Sequence, residues 1–353
     1  MKKTALNAYH KELGAKCVDF HGWELPIQYN SIIKEHEAVR NNCGIFDCSH
    51  MGQVFVEGPQ AHEFINYVIS NKFENMTDGK GVYSPLLYEN GTFVDDLIVY
   101  ALNPQKVLII VNASNVEKDF EWLKKHQSNF DINISNQSDN YSLLAIQGKN
   151  ASSYIHNVFP DIFENLESFC VKETTFNGSS CFIAKTGYTG EPGIEVIIQN
   201  DAATSLMKSF IDNGVSPCGL GARDSLRLEK GYSLYGNEID DSTNALEAGL
   251  AWTVKFDKEN FIGKDALEKI KISGNKRKLI GFKVLDRAIA RHGDKFIDDS
   301  GKEIGIITSG IFSPSLKQPI GLGYIESSYS EDTVKIQLSK KVATAEFCKR
   351  SFL

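Results

Sequence analysis

The hydrophobic pattern between residues 52 and 135 switches several times between the period of a strand and the period of a helix, and this switching constrains the fold most strongly. Two stretches place their apolar residues on one helical face, 64–69 and 120–123. Short apolar runs typical of strands occur at 53–57, 93–100, 106–111 and 132–134. The resulting order, βαββαβ, predicts a ferredoxin-like unit.

A second stretch repeats this alternation, which predicts a second packed unit of the same kind. Its expected helices lie near residues 151–158 and 202–212. Its expected strands lie at 141–147, 181–185 and 194–198.

The pattern changes after the polar run at 273–278. The short alternating segments beyond it are separated by Gly, Pro, Asp and Ser, which is typical of a small β-barrel or sandwich. These segments are 279–285, 303–308, 320–325 and 333–338. We therefore expect an α+β fold with domains at 1–140, 141–274 and 275–353, some N-terminal residues packing outside the first.

Charge and cysteine content exclude several classes of protein. The 353 residues include 38 Lys and Arg against 45 Asp and Glu, a net charge of −7, whereas a general nucleic-acid or membrane-surface binder needs a basic face. The seven cysteines contain no CxxC pair, and Cys43, Cys48 and His50 fit no common zinc spacing. No run approaches the ~18 apolar residues of a membrane span, so we expect a cytoplasmic protein without a metal.

Asp95 and Asp96 stand inside the apolar strand predicted at 93–100. A charged residue in such a strand is unfavourable unless it is paired or hydrogen-bonded. Because consecutive strand residues face opposite ways, at most one of the two carboxylates can line a given cleft. The alternative is a solvated edge position next to a capping carboxylate.

Two further segments are candidates for ligand binding. The run KTGYTGEPGIE at 185–195 is a glycine-rich turn between strands, with Tyr188 at its tip, and it lacks the following helix that dinucleotide and P-loop patterns require. A simple hairpin is the alternative there, and no nucleotide is expected.

Arg223 and Arg227 lie one turn apart on a predicted helix, and their guanidinium groups suit a ligand carboxylate. Ion pairs with Asp224 and Glu229 explain the two arginines equally well.

Taken together, these stretches resemble the glycine cleavage system T-protein family, the aminomethyltransferases, over essentially the whole chain. The resemblance rests on an ordered set of motifs. They are HGWELP at 21–26, HEAVR at 36–40, FDCSHMG at 46–52, VDDLIVY at 94–100, GYTG at 187–190, GLGARD at 219–224, LEKGY at 228–232, LYGNE at 234–238, TSG at 308–310 and SPSL at 313–316.

This resemblance implies a ring of three domains around a central folate site. The implied reaction moves the one-carbon unit from the aminomethylated lipoyl arm of H-protein to tetrahydrofolate, which is the acceptor substrate. Methylenetetrahydrofolate, ammonia and the reduced lipoyl arm are the products. Two rival readings share the fold: a folate-dependent demethylase of a small methylated substrate, and a non-catalytic folate-binding module. The carboxylate at Asp96 argues against the second.

The resemblance also implies roles for individual residues. Asp96 is the catalytic carboxylate, which stabilises and deprotonates the attacking folate nitrogen, while Asp95 points away. Arg291 faces the channel for the lipoyl arm. The implied folate contacts are Glu195 and Asn112 on the pterin, Met51, Tyr83 and Trp252 around the rings, and Arg227 and Tyr188 at the glutamyl carboxylates.

The chain departs from the family pattern at three turns and at its end. The turns read GEPG at 190–193, QGK at 147–149 and GT at 91–92, and none of them is an expected ligand contact. The chain ends at Leu353, where many relatives continue with residues that close over the folate, so contacts from that extension are not transferred. H-protein is expected to be acidic, and the one dense basic run, KRK at 276–278 with Arg287 after it, is its candidate docking surface. An ordinary solvated linker explains these lysines equally well.

Overall fold

The computed structural model describes residues 1–339 and 341–353. Its helices are α1 Asn7–Glu12, α2 Ile32–Asn41, α3 Ala61–Val68, α4 Val116–His126, α5 Ala151–Val158, α6 Ile162–Asn165, α7 Asn200–Asp212, α8 Leu220–Glu229 and α9 Lys264–Ser273. Its strands are β1 Lys16–Phe20, β2 Trp23–Gln28, β3 Gly44–Asp47, β4 Gly52–Glu57, β5 Gly81–Leu87, β6 Phe93–Asn103, β7 Lys106–Val111, β8 Asn133–Asn136, β9 Tyr141–Gln147, β10 Val171–Phe176, β11 Ser179–Ala184, β12 Gly193–Gln199, β13 Ser216–Cys218, β14 Arg277–Val284, β15 Lys295–Ile297, β16 Glu303–Ser313, β17 Gln318–Glu326, β18 Thr333–Gln337 and β19 Val342–Cys348.

These elements form two compact units. The first contains residues 1–84 and 96–224, and the second contains residues 85–95 and 225–353. The division into three domains at 140 and 274 therefore stays a prediction. Among the described residues, no helix has the length and apolar character that crossing a bilayer requires.

The ferredoxin-like order predicted for residues 52–135 is confirmed. The sheet has the strand order β5-β6-β7-β4-β8, so the strands of the βαββαβ unit, β4, β6, β7 and β8, are arranged 4-1-3-2. The pattern analysis did not include β5, which adds a fifth strand at the edge next to β6. Pro85 lies within β5, and an edge strand tolerates proline because one row of its backbone groups needs no partner.

The second alternating stretch also forms a sheet, in the order β10-β11-β12-β9-β3-β13. Strand β3 comes from the N-terminal segment and pairs antiparallel with β9 and parallel with β13. Residues 44–47 of the N-terminal segment therefore belong to this second sheet. Helices α5 and α7 cover a core that includes Ile155, Leu206 and Phe210, all fully buried.

The C-terminal strands close a barrel in the order β14-β17-β16-β15-β18-β19, and β19 pairs back to β14. This decides between the barrel and the sandwich. Its interior is filled by apolar side chains, among them Phe282 and Phe296, whose rings meet edge to face at 5.2 Å between centroids. The barrel is thus a packed core of the second unit and not an open channel.

Candidate active site

Asp96 lies on β6 and is half-buried, whereas Asp95 next to it is fully buried. Alternation along the strand puts Asp96, Ile98 and Tyr100 on one face and Asp95 on the other. Of these, Asp96 and Ile98 are half-buried and Tyr100 is buried. The expectation that the two carboxylates face opposite ways therefore agrees with their different burial.

The strand register places Asp96 of β6 in line with the residue that follows β7 and the residue that precedes β4. Strand β6 pairs with β7 so that Ile98 is opposite Ile110, and the same register continued by two residues puts Asn112 opposite Asp96. Strand β4 pairs with β7 so that Gly52 is opposite Val111, and one further residue puts Met51 opposite Asn112. Met51, Asn112 and Asp96 thus form one row across the sheet.

Both oxygens of the Asp96 carboxylate accept hydrogen bonds. The Tyr83 hydroxyl donates to Oδ2 at 2.9 Å, and Asn112 Nδ2 donates to Oδ1 at 2.8 Å. Asn112 Nδ2 also lies 3.0 Å from the Asp96 carbonyl oxygen. Hydrogen bonds to an ionised carboxylate are stronger than neutral ones, so these two side chains fix its orientation. Tyr83 and Asn112 were predicted as folate contacts, and the structure adds this orienting role.

The glycine-rich segment at 185–193 is held by a buried glutamine on the neighbouring strand. Gln147 Nε2 donates to the Thr186 carbonyl at 3.0 Å, and its Oε1 accepts from Thr189 Oγ1 at 3.1 Å. A Cβ atom on Gly187 would lie 1.9 Å from Gln147 Oε1. Glycine is therefore required at 187 to let the loop approach this side chain.

Arg40 fixes the far side of the same loop. Its Nη1 donates to the Thr189 carbonyl at 2.7 Å and pairs with Glu191 Oε1 at 2.9 Å. Pattern analysis assigned no role to Arg40 or Gln147. The signal available for Arg40 was its place in the HEAVR motif.

Arg223 extends towards the loop from α8. Its guanidinium lies 4.6 Å from the centroid of the Tyr188 ring, and Nη2 lies 3.9 Å from Met51 Sδ. A cation on the face of an aromatic ring is stabilised by the ring quadrupole. A half-buried cationic group thus accompanies two of the predicted folate contacts.

Arg227, one turn later on α8, has a different environment within the second unit. Its guanidinium is 1% exposed and donates to Glu238 Oε2 at 2.7 Å, to the Tyr232 carbonyl and to Ser309 Oγ. Glu238 is also fully buried and accepts from Thr308 Oγ1 at 2.7 Å. These contacts favour a structural role, while the contact of Arg227 with glutamyl carboxylates stays a prediction.

Trp252 and Arg291 also belong to the second unit, and both are exposed. The Trp252 side chain is 59% exposed, on a short turn at residues 251–253. Arg291 donates from Nη1 to the Gly310 carbonyl at 3.2 Å, and its backbone N–H donates to Asp294. Their assigned contacts stay predictions.

The segment that leads to Met51 is anchored by a buried polar network that sequence reasoning missed. Asp47 Oδ2 lies 2.8 Å from His10 Nε2 and accepts from Thr4 Oγ1 at 2.7 Å, while Oδ1 accepts from the Ser49 N–H. Burial opposes ionisation, but the hydrogen bonds and charge of His10 outweigh it and hold the pKa of Asp47 below its ordinary value. His10 belongs to no metal-binding or catalytic motif in the sequence, so nothing there indicated that it pairs with Asp47.

Cys48 and His50, two of the residues nearest to a zinc pattern in the sequence, are both buried. Burial lowers the pKa of His50 to about 4, with Arg223 acting in the same direction, and burial raises the pKa of Cys48 to about 12. Within residues 1–339 and 341–353, no three His, Cys, Asp or Glu side chains are grouped to hold a metal ion.

Comparisons with known proteins match the whole chain. The family model of the GCVT N-terminal domain matches residues 6–258, and that of the glycine cleavage T-protein C-terminal barrel domain matches residues 277–353. The chain belongs to the glycine cleavage T-protein family. The aminomethyltransferase of Halothermothrix orenii is 47% identical over all of both chains, and that of Thermosipho melanesiensis is 45% identical over all of this chain and 97% of its own.

A solved T-protein structure extends the match to the fold. The glycine cleavage system aminomethyltransferase T of Bartonella henselae superimposes with a TM-score of 0.95 at 32% identity, over 100% of this chain and 98% of its own. The resemblance found in the motifs is therefore confirmed, together with the α+β fold and its C-terminal barrel. The chain is a T-protein-family enzyme with aminomethyltransferase activity, and the demethylase and binding-module readings are not favoured.

Proposed function

We propose that this enzyme transfers the one-carbon unit from the aminomethylated lipoyl arm of H-protein to tetrahydrofolate. Methylenetetrahydrofolate, ammonia and the dihydrolipoyl arm are the products. The observation that carries the proposal is the Asp96 carboxylate, half-buried on β6 and hydrogen-bonded at both oxygens, in a chain of the T-protein family. The protein acts in the cytoplasm.

Asp96 acts on the folate nitrogen that attacks the methylene carbon. That nitrogen becomes cationic as its bond to the methylene carbon forms, while the bond from this carbon to the protonated amine breaks and releases neutral ammonia. A second folate nitrogen then bonds to the same carbon as the C–S bond breaks, and the lipoyl sulfur leaves and is protonated to the thiol. A carboxylate beside the nitrogen stabilises the positive charge and accepts its proton. Tyr83 and Asn112 support this because they restrict the carboxylate to one orientation before substrate binds.

The proposed folate contacts come from the first unit, except Trp252 and Arg227, which belong to the second unit. Glu195 and Asn112 pair with the amino-pyrimidine edge, and Met51, Tyr83 and Trp252 pack against the rings. Tyr188 and a cationic side chain meet the glutamyl carboxylates. The family resemblance implies Arg227 as that cation. Arg223 is better placed, because it lies against Tyr188 and Met51.

Arg291 faces the arriving lipoyl arm, and the partner is the lipoylated H-protein. Exposed Lys276 and Lys278 form the docking surface. Between them, Arg277 is occupied inside the second unit, pairing with Glu247 at 3.1 Å and lying 4.3 Å from the Tyr324 ring centroid. Within the run 276–278, the two lysines are therefore the residues available to an acidic partner, and exposed Arg287 belongs to the same proposed surface.

The proposal is tested by supplying the enzyme with tetrahydrofolate and aminomethyl-loaded H-protein and measuring methylenetetrahydrofolate and ammonia. Equal yields of the two products, dependent on the lipoyl group, are expected. Parallel reactions receive free methylated amines in place of H-protein. Turnover of those amines at the same or a higher rate would establish the demethylase, and tetrahydrofolate binding without any turnover would establish the binding module.

A further inference from the structure

A chain of three side chains ends on Glu195. The Tyr100 hydroxyl lies 2.9 Å from Thr186 Oγ1, and Thr186 Oγ1 donates to Glu195 Oε2 at 2.5 Å. Tyr100 is 1% exposed and Thr186 is 9% exposed, while Glu195 is half-buried. The chain thus runs from the interior of the first unit to a carboxylate at its edge.

The direction of these hydrogen bonds follows from the chemistry of the groups. An ionised carboxylate can only accept, so the single proton of Thr186 is given to Glu195. Thr186 must then accept from Tyr100. Burial raises the pKa of Tyr100 well above its ordinary value, with the Glu195 charge acting in the same direction, so the phenol keeps the proton it donates.

The backbone of Thr186 is held by the side chain of Gln147. Gln147 Nε2 donates to the Thr186 carbonyl at 3.0 Å and to the Ile194 carbonyl at 3.3 Å, one residue before Glu195. Gln147 is fully buried. The backbone on both sides of the hydrogen bond between Thr186 and Glu195 is therefore held by one side chain, which limits the rotation of both partners.

Tyr100 also links this chain to the catalytic strand. Tyr100 and Asp96 are four residues apart on β6, on the same face, and therefore about 13 Å apart along the strand. The strand thus sets the distance between Asp96 and the tyrosine that begins the chain of hydrogen bonds to Glu195.

We propose that Thr186 and Tyr100 are positioning residues that orient Glu195 towards an amino-pyrimidine edge and keep it an acceptor. This inference rests on the proposed pterin contact of Glu195. Thr186 takes one of the two lone pairs of Oε2, which leaves the other lone pair and Oε1 to accept the ligand's adjacent N–H donors. The chain selects ligands with adjacent N–H donors on their pyrimidine ring and disfavours analogues that present an acceptor there.

The test measures tetrahydrofolate dissociation constants by calorimetry for the wild type and for Thr186→Val, Thr186→Ser, Tyr100→Phe and Glu195→Gln. Valine keeps the shape of threonine without the hydroxyl, and serine restores the hydroxyl. Thr186→Val and Glu195→Gln should each weaken binding by about tenfold, the loss of one hydrogen bond to a charged group. Thr186→Ser should bind within about twofold of wild type.

The double variant Thr186→Val with Glu195→Gln separates positioning from general damage. If Thr186 acts through Glu195, the double variant should bind no more weakly than Glu195→Gln alone. Additive losses would overturn the inference. Melting temperatures are measured for each variant, and if Thr186→Val is poorly folded, the same cycle is run with Tyr100→Phe.

The outcomes separate this inference from the proposed function. Normal binding by Thr186→Val and Tyr100→Phe, with weakened binding by Glu195→Gln, would overturn the positioning role and leave the pterin contact intact. Normal binding by Glu195→Gln would remove the pterin contact and the inference with it. No tetrahydrofolate binding by the folded wild type would overturn the proposed function itself.

Discussion

The Tyr83 hydroxyl donates a hydrogen bond to Oδ2 of Asp96 at 2.9 Å, from the edge strand to the strand beside it. Asn112 binds the other oxygen from the opposite side. Asp96 therefore has its carboxylate fixed between two neighbouring strands, while the adjacent Asp95 is buried on the other face. This difference makes the two aspartates separable by mutation.

Asp96→Asn should lower turnover by about 10²-fold or more and leave tetrahydrofolate binding nearly unchanged, because it removes a proton-transfer group and keeps the size of the side chain. Initial rates with aminomethyl-loaded H-protein and calorimetry with folate measure the two effects. Asp95→Asn is the matched control, compared only after its melting temperature is known. Full activity of Asp96→Asn beside an inactive, folded Asp95→Asn would reverse the assignment.

Arg223→Ala should weaken tetrahydrofolate binding by about 2 kcal/mol, less at high salt, because a charge-assisted contact to an anion is screened. Arg227→Ala should instead lower the free energy of unfolding by about 3–5 kcal/mol, since it leaves Glu238 as an uncompensated buried charge. Denaturant titration and calorimetry on both variants measure this. A stable Arg227→Ala protein with weakened folate binding would restore Arg227 as the glutamyl contact.

Gly187→Ala should destabilise the protein by about 1–3 kcal/mol, because its Cβ would overlap the Gln147 amide oxygen. In a Gln147→Ala background the added methyl group has space, so the loss caused by Gly187→Ala should be smaller there. A double-mutant cycle of unfolding free energies gives the coupling. Gly178→Ala is the contrasting control. A Cβ added there would meet no atom within 4 Å, but the φ of +87° would be strained for alanine. Strain without contact should give no coupling to Gln147.

Charge reversal at Lys276 and Lys278 should raise the KM for H-protein, most at low ionic strength, and leave saturated turnover nearly unchanged. Charge reversal at Lys149 and Lys172, exposed lysines of the first unit, changes the net charge equally and serves as the control. Equal KM values for both double variants would identify the lysines as ordinary solvated surface.

Arg291→Ala should lower turnover instead of raising the KM, since the proposed contact of Arg291 is with the lipoyl arm that has already entered.

Acidification should destabilise the protein partly through Asp47. The pKa of Asp47 is lowered in the folded state. Its contribution to the free energy of unfolding is therefore fully present above the unfolded pKa of about 4, and it is lost as the pH falls through the lower folded pKa. The free energy of unfolding should therefore fall less steeply below pH ~4 in Asp47→Asn than in wild type. Glu37→Gln, at an exposed carboxyl, is measured alongside as the matched control. An unchanged slope in Asp47→Asn would contradict the stabilising role of the His10 contact.

Two strands that the hydrophobic pattern did not predict lie at sheet edges and contain proline. Pro85 is in β5 and Pro217 is in β13, each at the end of its sheet. A proline argues against a central strand, but an edge strand needs only one row of hydrogen bonds. Which strand occupies an edge is a property of the assembled sheet, so local pattern could not find these two.

The sequence by itself determined the order of elements, because hydrophobic period and strand alternation are local properties of the chain. Its ordered motifs carried the resemblance to the family, and that resemblance implied Asp96 and not Asp95 as the catalytic carboxylate. It also put Arg223 and Arg227 on one helical face. Only the tertiary structure decided that Arg227 meets buried Glu238 while Arg223 lies on Tyr188. It alone brought Met51 and Asn112 into register with Asp96 and seated Gln147 against Gly187, since these contacts depend on pairing between residues 16 to 61 positions apart in the chain.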